Sequence, residues 1–163
     1  MAWTARQIWK GMNRDQRLRA AEALFADQRL DKVQRLQALA PWMVAQGLRP
    51  QFLDSLPKAR RASLLAGSGL PEETAAQVLL SFHLVAQRPL LSRFLDLLGV
   101  KHQEGLVEDD QEMKPDAAKL PEAAAVMRRE FPGDDVDLYF RTLVAADPEG
   151  WEPLIREVTA PTA

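Results

Sequence analysis

A chain of 163 residues has the length of one ordinary domain or slightly more, enough to bury a substantial core. Its 47% hydrophobic and 27% charged residues exclude a wholly disordered chain. The absence of cysteine excludes a disulfide scaffold, a thiol nucleophile, a thiolate zinc site and an Fe–S cluster. A formal net charge of −2 gives no global attraction to nucleic acid or to an anionic membrane.

The periodicity is helical almost throughout. Leu and Ala supply 24 residues each, both strong helix formers, against two Ile and one Tyr. Residues 1–10 carry no apolar run after a basic start, so no secretory leader is expected. A short helix over Thr4–Met12 places Trp3 and Trp9 on a segment too short to stand alone, which must dock on something. Asn13 reads as the N-cap of a helix reaching Asp27, with Leu18, Ala21, Leu24 and Phe25 on its apolar stripe. Asp31 reads as the cap of the next, where Val33, Leu36, Leu39, Ala40 and Met43 repeat at helical spacing; Pro41 is expected to kink or end it and Gly47 to close it. Pro50 opens a short turn carrying Phe52, Leu53 and Leu56, and Pro57 opens a further helix that stops at Gly67-Ser68-Gly69.

Pro71, followed by Glu72 and Glu73, opens the most apolar segment of the chain, reaching Gln87. Val78, Phe82 and Val85 recur there at i, i+4 and i+7, which predicts a buried helix at the centre of the fold. Pro89 starts the next helix, with Leu91, Phe94, Leu95 and Leu98 on one face and Gly99 at its end. Residues 101–116 then change character and read as an acidic connection. Beyond it, helices are expected from about Pro121 to Phe131, from Asp134 or Asp135 with Val136, Phe140, Leu143 and Val144 inward, and over Trp151–Val158. The Leu-Pro dipeptides at 56, 70 and 120 keep no fixed period, so they mark a reused helix start and not a solenoid. The expected fold is all-α: a compact domain of eight or nine mostly short helices around a central buried helix at 71–87. The expected division is a basic helical core over 1–100, a connecting loop over 101–116 and a C-terminal helical subdomain over 117–163.

Charge is uneven along this plan. Residues 1–101 hold 15 basic and 8 acidic side chains, residues 102–163 hold 6 and 15. Such asymmetry marks either a surface for a polyanion or two halves that neutralise each other, and the acidic total favours neutralisation. The partner-contacting candidates are Arg14, Arg17, Lys32, Arg35, Lys58, Arg60 and Arg61, with Trp3 or Trp9 as stacking surfaces if the partner is RNA.

Chemistry-bearing motifs are scarce. Gly67-Ser68-Gly69 lacks the glycine and lysine of a phosphate loop, and the serines sit in no nucleophile elbow. His83, in the apolar helix, is the one catalytic candidate, as a base in an interhelical pocket. His102, Glu104, Asp109 and Asp110 offer oxygen and imidazole ligands for a cation, yet match no EF-hand spacing. The pattern points away from an enzyme and implies no cofactor. It favours a cytoplasmic protein-interaction or scaffold module, with an RNA-associated factor and a small-ligand binder near His83 as the alternatives and no membrane partner.

Overall fold

The computed structural model describes residues 3–107 and 115–158. Among them the fold is all-α: helices α1 (Ala5–Gly11), α2 (Arg14–Ala26), α3 (Lys32–Gln46), α4 (Pro50–Ser55), α5 (Lys58–Ala66), α6 (Glu72–Ala86), α7 (Arg88–Leu98), α8 (Leu120–Glu130) and α9 (Gly133–Ala146), closed by a short 3-10 helix, Glu152–Glu157. The described residues contain no strand, only an isolated bridge between Gln103 and Leu106. No described helix is long and apolar enough to cross a membrane.

The helix boundaries follow local chemistry. Asn13 and Asp31 each accept a bond from the amide of the third residue of their helix, while Gln16 and Gln34 reach back to the caps, closing two capping boxes. Gly47 and Gly99 end α3 and α7 in left-handed conformation. Pro71 lies just before α6 instead of opening it, and its carbonyl accepts the first bond, from Ala75. Likewise Pro132 precedes α9, so Asp134 and Asp135 occupy its first turn and not its cap. Helix α3 runs on through Pro41. Pro41 leaves the Gln37 carbonyl without its usual donor, and one residue along, the Ala38 carbonyl takes a bond from the Thr74 hydroxyl of α6 at 3.2 Å.

The chain divides into two compact units. The first is Ala5–Ala86, in which α1, α2 and α3 all pack on α6 and α5 packs on α2. Val78, Leu79 and Phe82 on α6 are sealed in its core together with Trp9, Leu24, Leu39, Trp42 and Leu65. Val85, expected beside them, is 36% exposed, and Val33, expected on the inner stripe of α3, is 62% exposed. Both sit in terminal turns. Periodicity predicts the angular face of a residue but not whether a neighbouring helix extends far enough to cover it.

The second unit joins the described residues 3–4 to the chain from Gln87 onward, and α7 belongs to it because it packs with the helices that follow it. Phe94 on α7 stands edge-on to Tyr139 with ring centres 5.6 Å apart, 5.1 Å from Phe140 and 5.9 Å from Trp151. Burial pushes the pKa of the Tyr139 hydroxyl up. In the turn after α7, Gly105 has φ +89°, and a Cβ there would meet the Leu91 side chain at 2.9 Å, so only glycine fits.

Candidate interaction surface

Two titratable side chains of the first unit, Asp27 and His83, are buried. Asp27 ends α2 and is 1% exposed. Its carboxylate accepts two bonds from the Arg29 guanidinium, at 3.1 and 2.6 Å, and one from the Ser81 hydroxyl of α6 at 2.8 Å. Burial alone would raise its pKa, but the bonds from Arg29 and Ser81 and the charge of Arg29 hold it below the usual carboxylate value. His83 is 3% exposed with its ring against Phe82. Burial pushes its pKa down to about 3, so the imidazole is neutral at physiological pH and a weak base.

The cation-ligand candidates are held apart. In His102, Nδ1 accepts the Gly105 amide at 3.0 Å, so Nε2 carries the proton and donates to Asp96 at 2.7 Å. Glu104 pairs instead with Arg88 at 2.7 Å. Asp109 and Asp110 lie outside the described residues. Among the described residues no group of three His, Asp or Glu side chains is placed to hold a metal ion.

The basic candidates of the first unit fall into two sets. Some are spent on the fold. Arg17 donates to the carbonyls of Trp9 and Lys10 at 3.0 and 2.7 Å, satisfying the last turn of α1. Arg35 donates to the carbonyls of Asp27 and Leu30. Arg61 lies over the Phe25 ring at 5.5 Å, and Lys32 pairs with Asp54 at 3.0 Å. Arg14, Lys58 and Arg60 are exposed and have no ion-pair partner among the described residues. On the acidic side, Asp137 pairs with Arg128 of its own unit at 2.6 Å.

The expected stacking surfaces are occupied. Trp9 is sealed in the core and its indole N–H donates to the Ser68 carbonyl at 2.9 Å. The Arg141 guanidinium covers Trp3 at 4.7 Å.

Sequence reading missed one feature, a groove of about 480 Å³ between α4 and α5. Leu48, Phe52, Leu56 and Leu64 wall it and Arg60 stands at its edge. Phe52 is 48% exposed there, an uncommon place for a large aromatic on a folded surface. The available signal was the crowding of Phe52, Leu53 and Leu56 on and just after a six-residue helix, of which only Leu53 turns fully inward.

No protein-family model matches the chain, and neither a curated protein nor a solved structure matches it.

Proposed function

We propose that the chain is a non-catalytic interaction module whose first unit receives an acidic, amphipathic helix of a protein partner in the α4–α5 groove. The half-exposed Phe52 in its leucine-walled groove is the observation that carries this reading. Arg60 at the groove edge, with Arg49 and Lys58 opening the two short helices, sets the sign of the partner's flanking charge. The buried acids and imidazole support a non-catalytic role: Asp27 is saturated by Arg29 and Ser81, and His83 is too weak a base for proton transfer at neutral pH.

The test is a selection of helical peptides on the intact protein, followed by binding measurements. Selected sequences are expected to carry apolar residues at i, i+3 and i+4 flanked by Asp and Glu. Phe52→Ser is expected to abolish binding without lowering thermal stability, because the ring is half in water already. Arg60→Glu is expected to weaken acidic peptides roughly tenfold. Peptides of no common charge, or equal binding to Phe52→Ser, would reject the reading.

A further inference from the structure

We propose that two adjoining hollows over Gly67 form an anion site for a small ligand bearing linked phosphoryl groups. One hollow, of about 330 Å³, is lined by Met12, Arg14, Arg17, Ser63 and Gly67. The other, of about 320 Å³, is lined by Arg6, Lys10, Arg17, Gly67 and Ser68. Arg17 and Gly67 belong to both, so four cationic side chains converge on one continuous recess. No Asp or Glu lines either hollow.

Three observations make this more than a solvated basic face. First, Arg17 at the junction is already ordered: its Nε and one terminal nitrogen are bound to the carbonyls of Trp9 and Lys10, and its guanidinium sits 5.8 Å from the Trp9 ring centre. A ligand meeting it pays little of the rotamer entropy that usually opposes an arginine contact. Second, Arg6, Lys10 and Arg14 are exposed without ion-pair partners among the described residues. Glu72, whose carboxylate lies against the start of α1, is taken by the backbone amides of Ala5 and Arg6 at 2.8 and 3.0 Å. Third, the floor is fixed, because the Trp9 indole holds the Ser68 carbonyl and the Ser68 hydroxyl bonds the Leu64 carbonyl at 2.8 Å.

The geometry selects among anions. A single phosphate engages one hollow, whereas two or three linked phosphoryl groups span both across Arg17 and collect charge-assisted bonds from each side. Single-stranded RNA gains its affinity from stacking as well as charge, and the one aromatic residue lining the recess, Trp9, is sealed in the core. Ser63 also lines the α4–α5 groove, but none of the four cationic side chains does, and the anion site does not rest on that groove.

The experiment is calorimetric titration of the intact protein with orthophosphate, pyrophosphate, tripolyphosphate, a nucleoside triphosphate and a short single-stranded RNA. Pyrophosphate and tripolyphosphate are expected to bind saturably, at least roughly tenfold tighter than orthophosphate. A nucleoside triphosphate that equals tripolyphosphate assigns recognition to the phosphate chain, and one that exceeds it assigns a nucleotide ligand; both support the site. Lys10→Gln with Arg14→Gln is expected to weaken pyrophosphate roughly a hundredfold at unchanged thermal stability. Lys101→Gln with Lys119→Gln removes the same charge in the second unit, at exposed positions that line neither hollow, and is expected to leave affinity unchanged. Equal loss in both double variants, no preference for pyrophosphate over orthophosphate, or tighter binding of the RNA would each overturn the proposal.

Discussion

In the second unit Arg88, Arg93 and Arg128 each meet a carboxylate, on Glu104, Glu130 and Asp137. In the first, Arg17 and Arg35 are bound to backbone carbonyls, Arg19 and Arg61 lie over the rings of Phe82 and Phe25, and Arg6, Arg14 and Arg60 have no ion-pair partner among the described residues. The acids explain the difference. Ala5–Ala86 holds 12 basic and 7 acidic side chains, residues 87–163 hold 9 and 16. Of the seven, Asp27 is buried on Arg29 and Ser81, Asp31 caps α3 and Glu72 binds the amides of α1. With Asp54 paired to Lys32, four of the seven acids are thus taken up by the fold, and surplus cations remain on the surface. Expecting the basic half to be neutralised treats charge as a total, but what decides availability is which individual side chains the fold has already used.

The largest effect comes from the two cores. Phe82 and Phe94 are both fully buried, one beneath the Arg19 guanidinium and beside the His83 ring, the other in a cluster of four aromatic rings. Truncation of either to Ala is expected to cost about 3–5 kcal/mol. Hydrogen exchange resolves where the cost falls. Phe82→Ala is expected to accelerate exchange in α2 and α6, Phe94→Ala in α7 and α9. Acceleration through all nine helices by either substitution would show that the division has no energetic meaning.

Asp27 comes next. Asp27→Ala removes a carboxylate that four hydrogen bonds satisfy, from the Arg29 amide, twice from its guanidinium and from the Ser81 hydroxyl, at an expected cost of about 2–3 kcal/mol. The pH dependence has a definite sign. Its pKa in the folded state lies below the ordinary value of 3.8, so the stabilisation is present above that value and is lost as pH falls through the folded one. Urea melts between pH 2 and 7, taken on the wild type and on Asp27→Asn, are expected to converge toward the acid end as the native carboxylate protonates. A difference that stays constant with pH would mean that Asp27 contributes packing and not charge.

The helices themselves were legible because their punctuation is local: Asn13, Asp31, Gly47, Gly99 and the Asp147–Gly150 turn act within a few residues of where they stand. The central place of α6 was legible from its run of apolar residues. The packing of α7 with the helices after it carries no such local signal, since it is decided by which rings surround Phe94. Arg6 and Lys10 were not singled out, since their importance depends on Arg17 and Gly67 arriving beside them from α2 and the turn after α5. Asp27–Ser81, separated by 54 residues, carries no signal in a single sequence.

A smaller effect separates structural cations from available ones. Arg17→Ala removes two bonds to the last turn of α1, for an expected loss of about 1–2 kcal/mol. Trp9 reports it: the indole is now sealed beneath α1's own packing, and loosening of the helix is expected to shift its emission to the red. Arg14→Ala, a few residues away on the same helix, is expected to change neither signal. If both variants behave alike, the distinction between cations used by the fold and cations left on its surface fails in the place where it is drawn most sharply.

The smallest effect is expected where the drawing looks strongest. Arg93 and Glu130 form a two-bond pair at 2.8 and 3.0 Å, and the bond to Arg93 holds the Glu130 pKa below its ordinary value of 4.5. Yet both side chains are more than two-fifths exposed. Water and salt screen such a pair, and ordering two long side chains offsets most of the attraction. Glu130→Gln is therefore expected to leave the thermal midpoint at neutral pH nearly unchanged, and any difference is expected to vanish in molar salt. The sign of the residual is fixed: because the native pKa is lowered, what stabilisation exists is present above 4.5 and fades as pH falls below it. A loss as large as that of Asp27→Ala, persisting in high salt, would show that the second unit depends on its ion pairs as heavily as the first depends on its buried acid.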